Sequence, residues 1–317
     1  MKVSQQEGKR CLEISKNIAL EDFPRTLELL NQGEGSRKGC GLILSGYMAT
    51  IAQHAYFIES DLSKAKNYAY LSAKAKIIQF QSQPISVIDI VEDLNQVLIS
   101  DNVELIHWYS QCIAYLYTDN NRALKRNRVG TDAYRNFQRH LALQGKFDLL
   151  GERAEYILAN PPGKANLKYQ VDHEFYLGLA TGDCSKMAKS IRFLCSKAGV
   201  RQRNFSDSTC SSCHFMSPAS LMLGKIAALA GYELDIDDDM YPNELVKVAP
   251  LNVYDDIFDY LNSLDIYELF SHERFPNIAG FTPRPLGQYN IDLTVQSQPN
   301  EKHSKNDSIR VVDLFFP

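Results

Sequence analysis

The chain has 317 residues, 44% of them hydrophobic and 23% charged, a balance that excludes a disordered chain and supports one large domain or two modest ones. Its net charge of −4 is unevenly placed: Arg122 to Arg203 holds 16 Lys/Arg against 7 Asp/Glu, and Tyr232 to Glu273 holds 12 Asp/Glu against one Lys. Such polarity is either internal, two halves attracting each other, or it presents an acidic face to a basic partner.

In chain order, the first predicted helix covers residues 3–19. Met1 to Asn17 is polar, with no apolar core of signal-peptide length. Leu44, Met48, Ile51, Ala55 and Ile58 then recur at steps of four and three, one stripe of an α-helix. With 61–82 they predict an antiparallel pair whose contact carries Gly46, Tyr47, Ala65, Tyr68, Ala69 and Ala73. The pair has the flavour of a tetratricopeptide unit, but no second copy recurs at a fixed period, which argues against a regular solenoid.

Further helices are predicted over 86–99, 102–118, 132–144, 147–159 and 167–181. Asn160-Pro161-Pro162-Gly163 interrupts the pattern and is the expected boundary between an amino-terminal half, 1–160, and a carboxy-terminal half, 164–270. Met187, Ile191, Leu194 and Ala198 form a stripe between an Asp183 cap and a Gly199 stop. Ser217-Pro218 opens a helix that ends before Gly231 and is apolar nearly all round, as a helix through the core would be. Val253, Ile257, Tyr260, Leu264 and Tyr267 predict one more helix, with Asp255, Asp256 and Asp259 on its opposite face. After Ser271 the prolines exclude regular helix, and alternation around Ile291, Leu293 and Val295 predicts an irregular or β-hairpin tail over 271–317.

The expected fold is therefore all-α, an irregular antiparallel helical array with a short carboxy-terminal extension. The apolar runs Gly41 to Ala52 and Leu221 to Ala230 are too short to span a bilayer, so no membrane partner is expected. Seven cysteines, odd in number and scattered, fit a reducing compartment. Cytoplasmic location is the expectation.

Candidate chemistry is sparse. Cys210-Ser211-Ser212-Cys213-His214 matches the C-x-x-C-H haem-attachment string, but covalent haem attachment follows export and no leader is evident. Cys210 and Cys213 are also spaced for zinc, which needs four ligands; Cys184, Cys195, His173 or His214 would have to complete the set through the fold. No βαβ pattern supports a redox pair. Asp235 to Asp239 opens like a calcium loop, but Met240 stands where glycine is required and Val246 where glutamate is. His173-Glu174 lacks the second histidine of a zincin, because the fifth residue is Leu177. His107 lies on an apolar helix. Arg122, Lys125, Arg126 and Arg128 cluster with little aromatic interleaving, so direct nucleic-acid binding is not expected. Phosphate loops, dinucleotide turns and nucleophile elbows do not occur in the sequence. No enzymatic activity and no cofactor are expected.

Asp172-x-Glu174-Phe175-Tyr176-x-Gly178-Leu179 followed by Thr181-Gly182-Asp183 resembles part of the immunity protein 49 family of bacterial polymorphic-toxin systems. So does Lys225-Ile226-Ala227-x-x-Ala230-Gly231-Tyr232-Glu233, followed by Asp235-Ile236-Asp237, Pro242-x-Glu244-Leu245 and Pro250-Leu251-x-x-Tyr254. The resemblance covers about residues 40–265 and rests on packing features; the extension after Ser271 departs from it. It implies an all-α antidote that binds and neutralises a cognate toxin by stoichiometric occlusion, without catalytic residues. For a nuclease or another basic toxin, the partner-binding candidates are Asp237, Asp238, Asp239, Asp255, Asp256 and Asp259. Two other readings stay open: a helical-repeat-like adaptor or regulatory module, and a cysteine-based metal or redox protein centred on Cys210, Cys213 and His214.

Overall fold

The computed structural model describes residues 5–78, 94–111, 132–161, 163–207 and 214–257. Among them the architecture is all-α and contains no strand. The helices are α1 (Gln5–Gln32), α2 (Arg37–Phe57), α3 (Leu62–Ile78), α4 (Leu94–Ser100), α5 (Val103–Gln111), α6 (Asp132–Leu143), α7 (Phe147–Ala159), α8 (Gln170–Thr181), α9 (Cys184–Cys195), α10 (Lys197–Asp207), α11 (Pro218–Leu229) and the single turn α12 (Asn243–Val246), with a 3-10 turn at Lys164–Tyr169. The expected β-hairpin tail and the basic cluster Arg122, Lys125, Arg126 and Arg128 lie outside the described residues.

The chain forms two compact units, and among the described residues it crosses between them after Asn102, within α9, within α11 and after Ile236. One holds the described residues of Met1–Asn102, Leu194–Met222 and Asp237–Leu269; the other holds those of Val103–Phe193 and Leu223–Ile236. This differs from a division at Asn160. Asn160 closes α7, its amide donating to Tyr156, and α8 returns to pack on α7 within the second unit. The proline-glycine break thus falls inside one unit, between two helices that pack on each other.

In the first unit α1, α2 and α3 run up, down and up. Phe23, Leu44, Met48, Leu71 and Ala75 form the core, with Leu27, Leu30, Tyr47, Tyr68 and Tyr70 packed around it. Full burial of such side chains stabilises by about 1.5–3 kcal/mol each. Ala65, Ala69 and Ala73 are buried on α3 as expected. Gly46 is exposed and meets open space; its neighbour Ser45 makes the close contact, its hydroxyl 3.2 Å from that of Ser72, which also donates to the Ser45 carbonyl. α1 extends far past residue 19 because Leu27 and Leu30 beyond Pro24 still reach the core, so one missing amide is outweighed. Its amino-terminal half sits against α2: Glu13 lies 3.0 Å and Glu59 3.2 Å from the two ring nitrogens of His54, and Lys16 bridges to Glu59. Lys64, with Lys16, holds the Glu59 carboxyl down at about 2.

In the second unit Asp183 caps α9 through the amide of Lys186, and Gly182 takes the left-handed φ of +70° that closes α8. Gly199 does not end this helix. The Ser196 hydroxyl accepts from the Gly199 amide, so the glycine falls in the first turn of α10, a helix the sequence pattern did not predict. Nearly every residue of α11 is buried, as expected of a core helix.

His140, at the end of α6, is fully buried and stacks on Tyr109 with ring centroids 5.2 Å apart. Burial, and the neighbouring Arg139 charge, push its pKa down to about 4. A histidine kept neutral by the fold contributes stability above its unfolded pKa of ~6.5, and that contribution is lost as pH falls from there towards the folded value. We expect the denaturation midpoint to drop between pH 7.5 and pH 5, and His140→Gln to flatten that drop; an unchanged slope in the variant would contradict the assignment.

Candidate functional site

The segment that follows α12, residues 247–257, is irregular in the structure, although 253–257 was expected to begin a helix. Tertiary contacts hold it extended. α3 presents Lys66, Tyr70 and Lys74 one turn apart, with Asn67 alongside, and each takes a grip on this segment.

The first grip is a buried ion pair. Lys66 and Asp101 are essentially inaccessible, with Nζ 2.7 Å from Oδ2. Asp101 is placed there by a left-handed residue conformation, φ +55°, just past the end of α4, which aspartate tolerates better than most residues. Together the pair holds the backbone of Ala249. Its carbonyl accepts from Lys66 Nζ at 2.5 Å, and its amide donates to Asp101 Oδ2 at 3.3 Å. Next, Tyr254 lays its ring against Tyr70, centroids 5.0 Å apart, and its hydroxyl donates to the Ser100 carbonyl at 2.7 Å while accepting from the Leu251 amide. Burial pushes its pKa up.

Asn67 then bonds Asp255 on both sides of the residue: Oδ1 accepts from the Asp255 amide at 2.8 Å, and Nδ2 donates to its carbonyl at 3.2 Å. This side chain treats the segment as a sheet neighbour would. Finally Lys74, stacked 5.2 Å over the Tyr70 ring, pairs with Asp256 at 2.6 Å. An extended backbone alternates its side chains. Tyr254 and Asp256 are engaged by α3, whereas Val253, Asp255 and Ile257 are exposed, the two apolar ones at 70% and 51%.

The six candidate aspartates therefore do not act alike. Asp255 and Asp256 share no helix face: the first displays its carboxylate, and the second is drawn into the Lys74 pair. Asp237, Asp238 and Asp239 lie in a turn before α12. Asp238 is half-buried and turned inward, its Oδ1 accepting the Met240 amide and its carbonyl accepting from Tyr241. Asp237 and Asp239 on either side are exposed. Asp259 lies outside the described residues. Among the described candidates the accessible acidic groups are thus Asp237, Asp239 and Asp255.

Cys210 and Cys213 also lie outside the described residues. His214 sits half-buried at a turn, packed where Gly8 of α1 leaves room. Cys184 and Cys195 stand at opposite ends of α9, and burial pushes the Cys195 thiol up to about 11, which disfavours the thiolate that zinc takes. Among the described residues no group of three His, Cys, Asp or Glu is placed to hold a metal ion, and no helix is long and apolar enough to cross a membrane.

No protein-family model, curated protein or solved structure matches this chain.

Lys66, Asn67 and Lys74 escaped the sequence reading, and Tyr254 entered it only as part of the family resemblance. One signal was present: Lys66 and Lys74 fall among Ala65, Ala69, Ser72, Ala73 and Ala75 on an otherwise small-residue face, where a lysine implies a buried acidic partner. Asp101 lies far away in sequence, so nothing local names that partner.

Removing one member of a buried pair leaves an uncompensated charge and costs ~3–5 kcal/mol. We expect Lys66→Met or Asp101→Asn each to destabilise by about that amount in chemical denaturation. The double change Lys66→Met with Asp101→Asn should be less damaging than the sum of the two singles. Strictly additive losses would show that the two side chains do not depend on each other.

Proposed function

We propose that this protein is an immunity protein that binds a cognate bacterial toxin and blocks it by stoichiometric occlusion, without turnover of its own. The resemblance of residues 172–254 to immunity protein 49 motifs is the observation that carries the reading. The shape of the candidate surface supports it. Val253, Asp255 and Ile257 form an apolar–acidic–apolar row on a backbone pinned at four points, so little conformational freedom remains to be lost when a partner docks. Apolar anchors provide buried contact at the centre of an interface. The exposed carboxylates of Asp237, Asp239 and Asp255 attract a basic partner and speed its encounter. A nuclease or similar basic toxin fits that chemistry, and binding in the cytoplasm before the toxin meets its substrate would protect the producing cell.

The test is co-expression with the product of the neighbouring gene, followed by kinetics of association. The expected result is a one-to-one complex and loss of toxin activity at equimolar ratio. Reversing Asp237, Asp239 and Asp255 to lysine should slow association by about tenfold or more at low salt and abolish its decline with added salt. Val253→Ala with Ile257→Ala should raise the dissociation rate instead. Unchanged association after charge reversal would remove the acidic surface from the proposal; absence of any complex would remove the toxin.

A further inference from the structure

α1 carries a second surface, independent of the toxin reading. Glu7, Arg10, Ile14, Ile18, Glu21 and Arg25 follow one another at steps of three and four residues, which makes them a single stripe along the helix. All six are exposed, Ile14 at 49% and Ile18 at 50%. The opposite face, with Leu12, Ala19, Phe23 and Thr26, is the buried one. Glu13 and Lys16, which flank the stripe, already bind the body of the unit through His54 and Glu59.

The order of groups along the stripe is acid, base, apolar, apolar, acid, base. Reversed, the same order reads base, acid, apolar, apolar, base, acid. A second copy laid antiparallel, with its twofold axis midway between Ile14 and Ile18, therefore sets Ile14 against Ile18, Arg10 against Glu21 and Glu7 against Arg25, and does each of these twice. A parallel copy would set every charge against its own kind. An isologous contact requires a patch complementary to itself about a twofold axis, and the antiparallel arrangement satisfies that in both charge and apolar register.

We propose that the chain self-associates into a twofold dimer through antiparallel pairing of α1, with Ile14 and Ile18 at its centre and the Arg10–Glu21 pairs setting register. Sedimentation equilibrium of the full chain over a wide concentration range tests this. The expected result is a reversible monomer–dimer equilibrium. Ile14→Asp with Ile18→Asp should give a monomer whose helix content matches the parent and whose melting temperature matches that of the parent diluted to its monomeric form, because both side chains are exposed in the folded chain. Arg10→Glu alone and Glu21→Arg alone should each weaken the dimer about tenfold, since each change places two like-charge contacts in the interface. The combined Arg10→Glu/Glu21→Arg chain should recover most of the parent affinity.

A parent chain that stays monomeric overturns the proposal, as does a dimer that survives the two aspartates. A double reversal no stronger than the single ones also overturns it, because the register would then be wrong. If the chain is monomeric and the two aspartates abolish a complex with a different protein, the stripe belongs to that partner and not to a second copy.

Discussion

The Lys66–Asp101 ion pair is the constraint around which the amino-terminal unit is arranged. Taking two charges out of water is unfavourable by several kcal/mol per ion, and attraction between them compensates only when further hydrogen bonds use their remaining capacity. Here that capacity is directed at one peptide unit, the Ala249 carbonyl on the lysine and the Ala249 amide on the aspartate. The pair thus fixes where a distant stretch of chain must lie. An apolar replacement of similar volume would fill the same space but would not hold Ala249 by its backbone groups.

From that point the segment is determined residue by residue. Tyr254 reaches back to the end of α4, Asn67 brackets Asp255, and Lys74 draws in Asp256. With no strand beside it, an extended backbone would ordinarily leave its amides and carbonyls to water. The side chains of α3 replace the missing neighbour. The consequence is a stiff row of outward side chains on a helical scaffold, a geometry suited to recognition by contact and charge.

The same physics separates useful from idle acidity. A run of aspartates counts as negative charge in composition, yet Asp238 closes a turn through its own carboxylate and Asp256 neutralises a lysine. Only carboxylates without such local employment project their field outward. Conversely, the alternation of charge and isoleucine along α1 acquires meaning through the exposure of one face and the burial of the other. Two exposed isoleucines one turn apart, flanked on each side by an acid and a base in the same order, are complementary to their own reverse, as scattered apolar residues would not be.

Local pattern alone determined much of this protein. The stripe from Leu44 to Ala55, the Asp183 cap, the Ser217-Pro218 start and the all-round apolar α11 follow from helical periodicity and the unsatisfied amides at helix ends, both of which act within a few residues. A local cap that the periodicity passed over, the Ser196 hydroxyl on the Gly199 amide, began a new helix at Lys197. Tertiary structure decided the rest. It carried α1 through Pro24, because core contacts beyond the proline outweigh one lost hydrogen bond. And it drew 253–257 out of the helix their spacing favoured, because Asn67 brackets the Asp255 backbone and Lys74 pairs with the Asp256 carboxylate from some 180 residues away, a pairing that no window along the sequence contains.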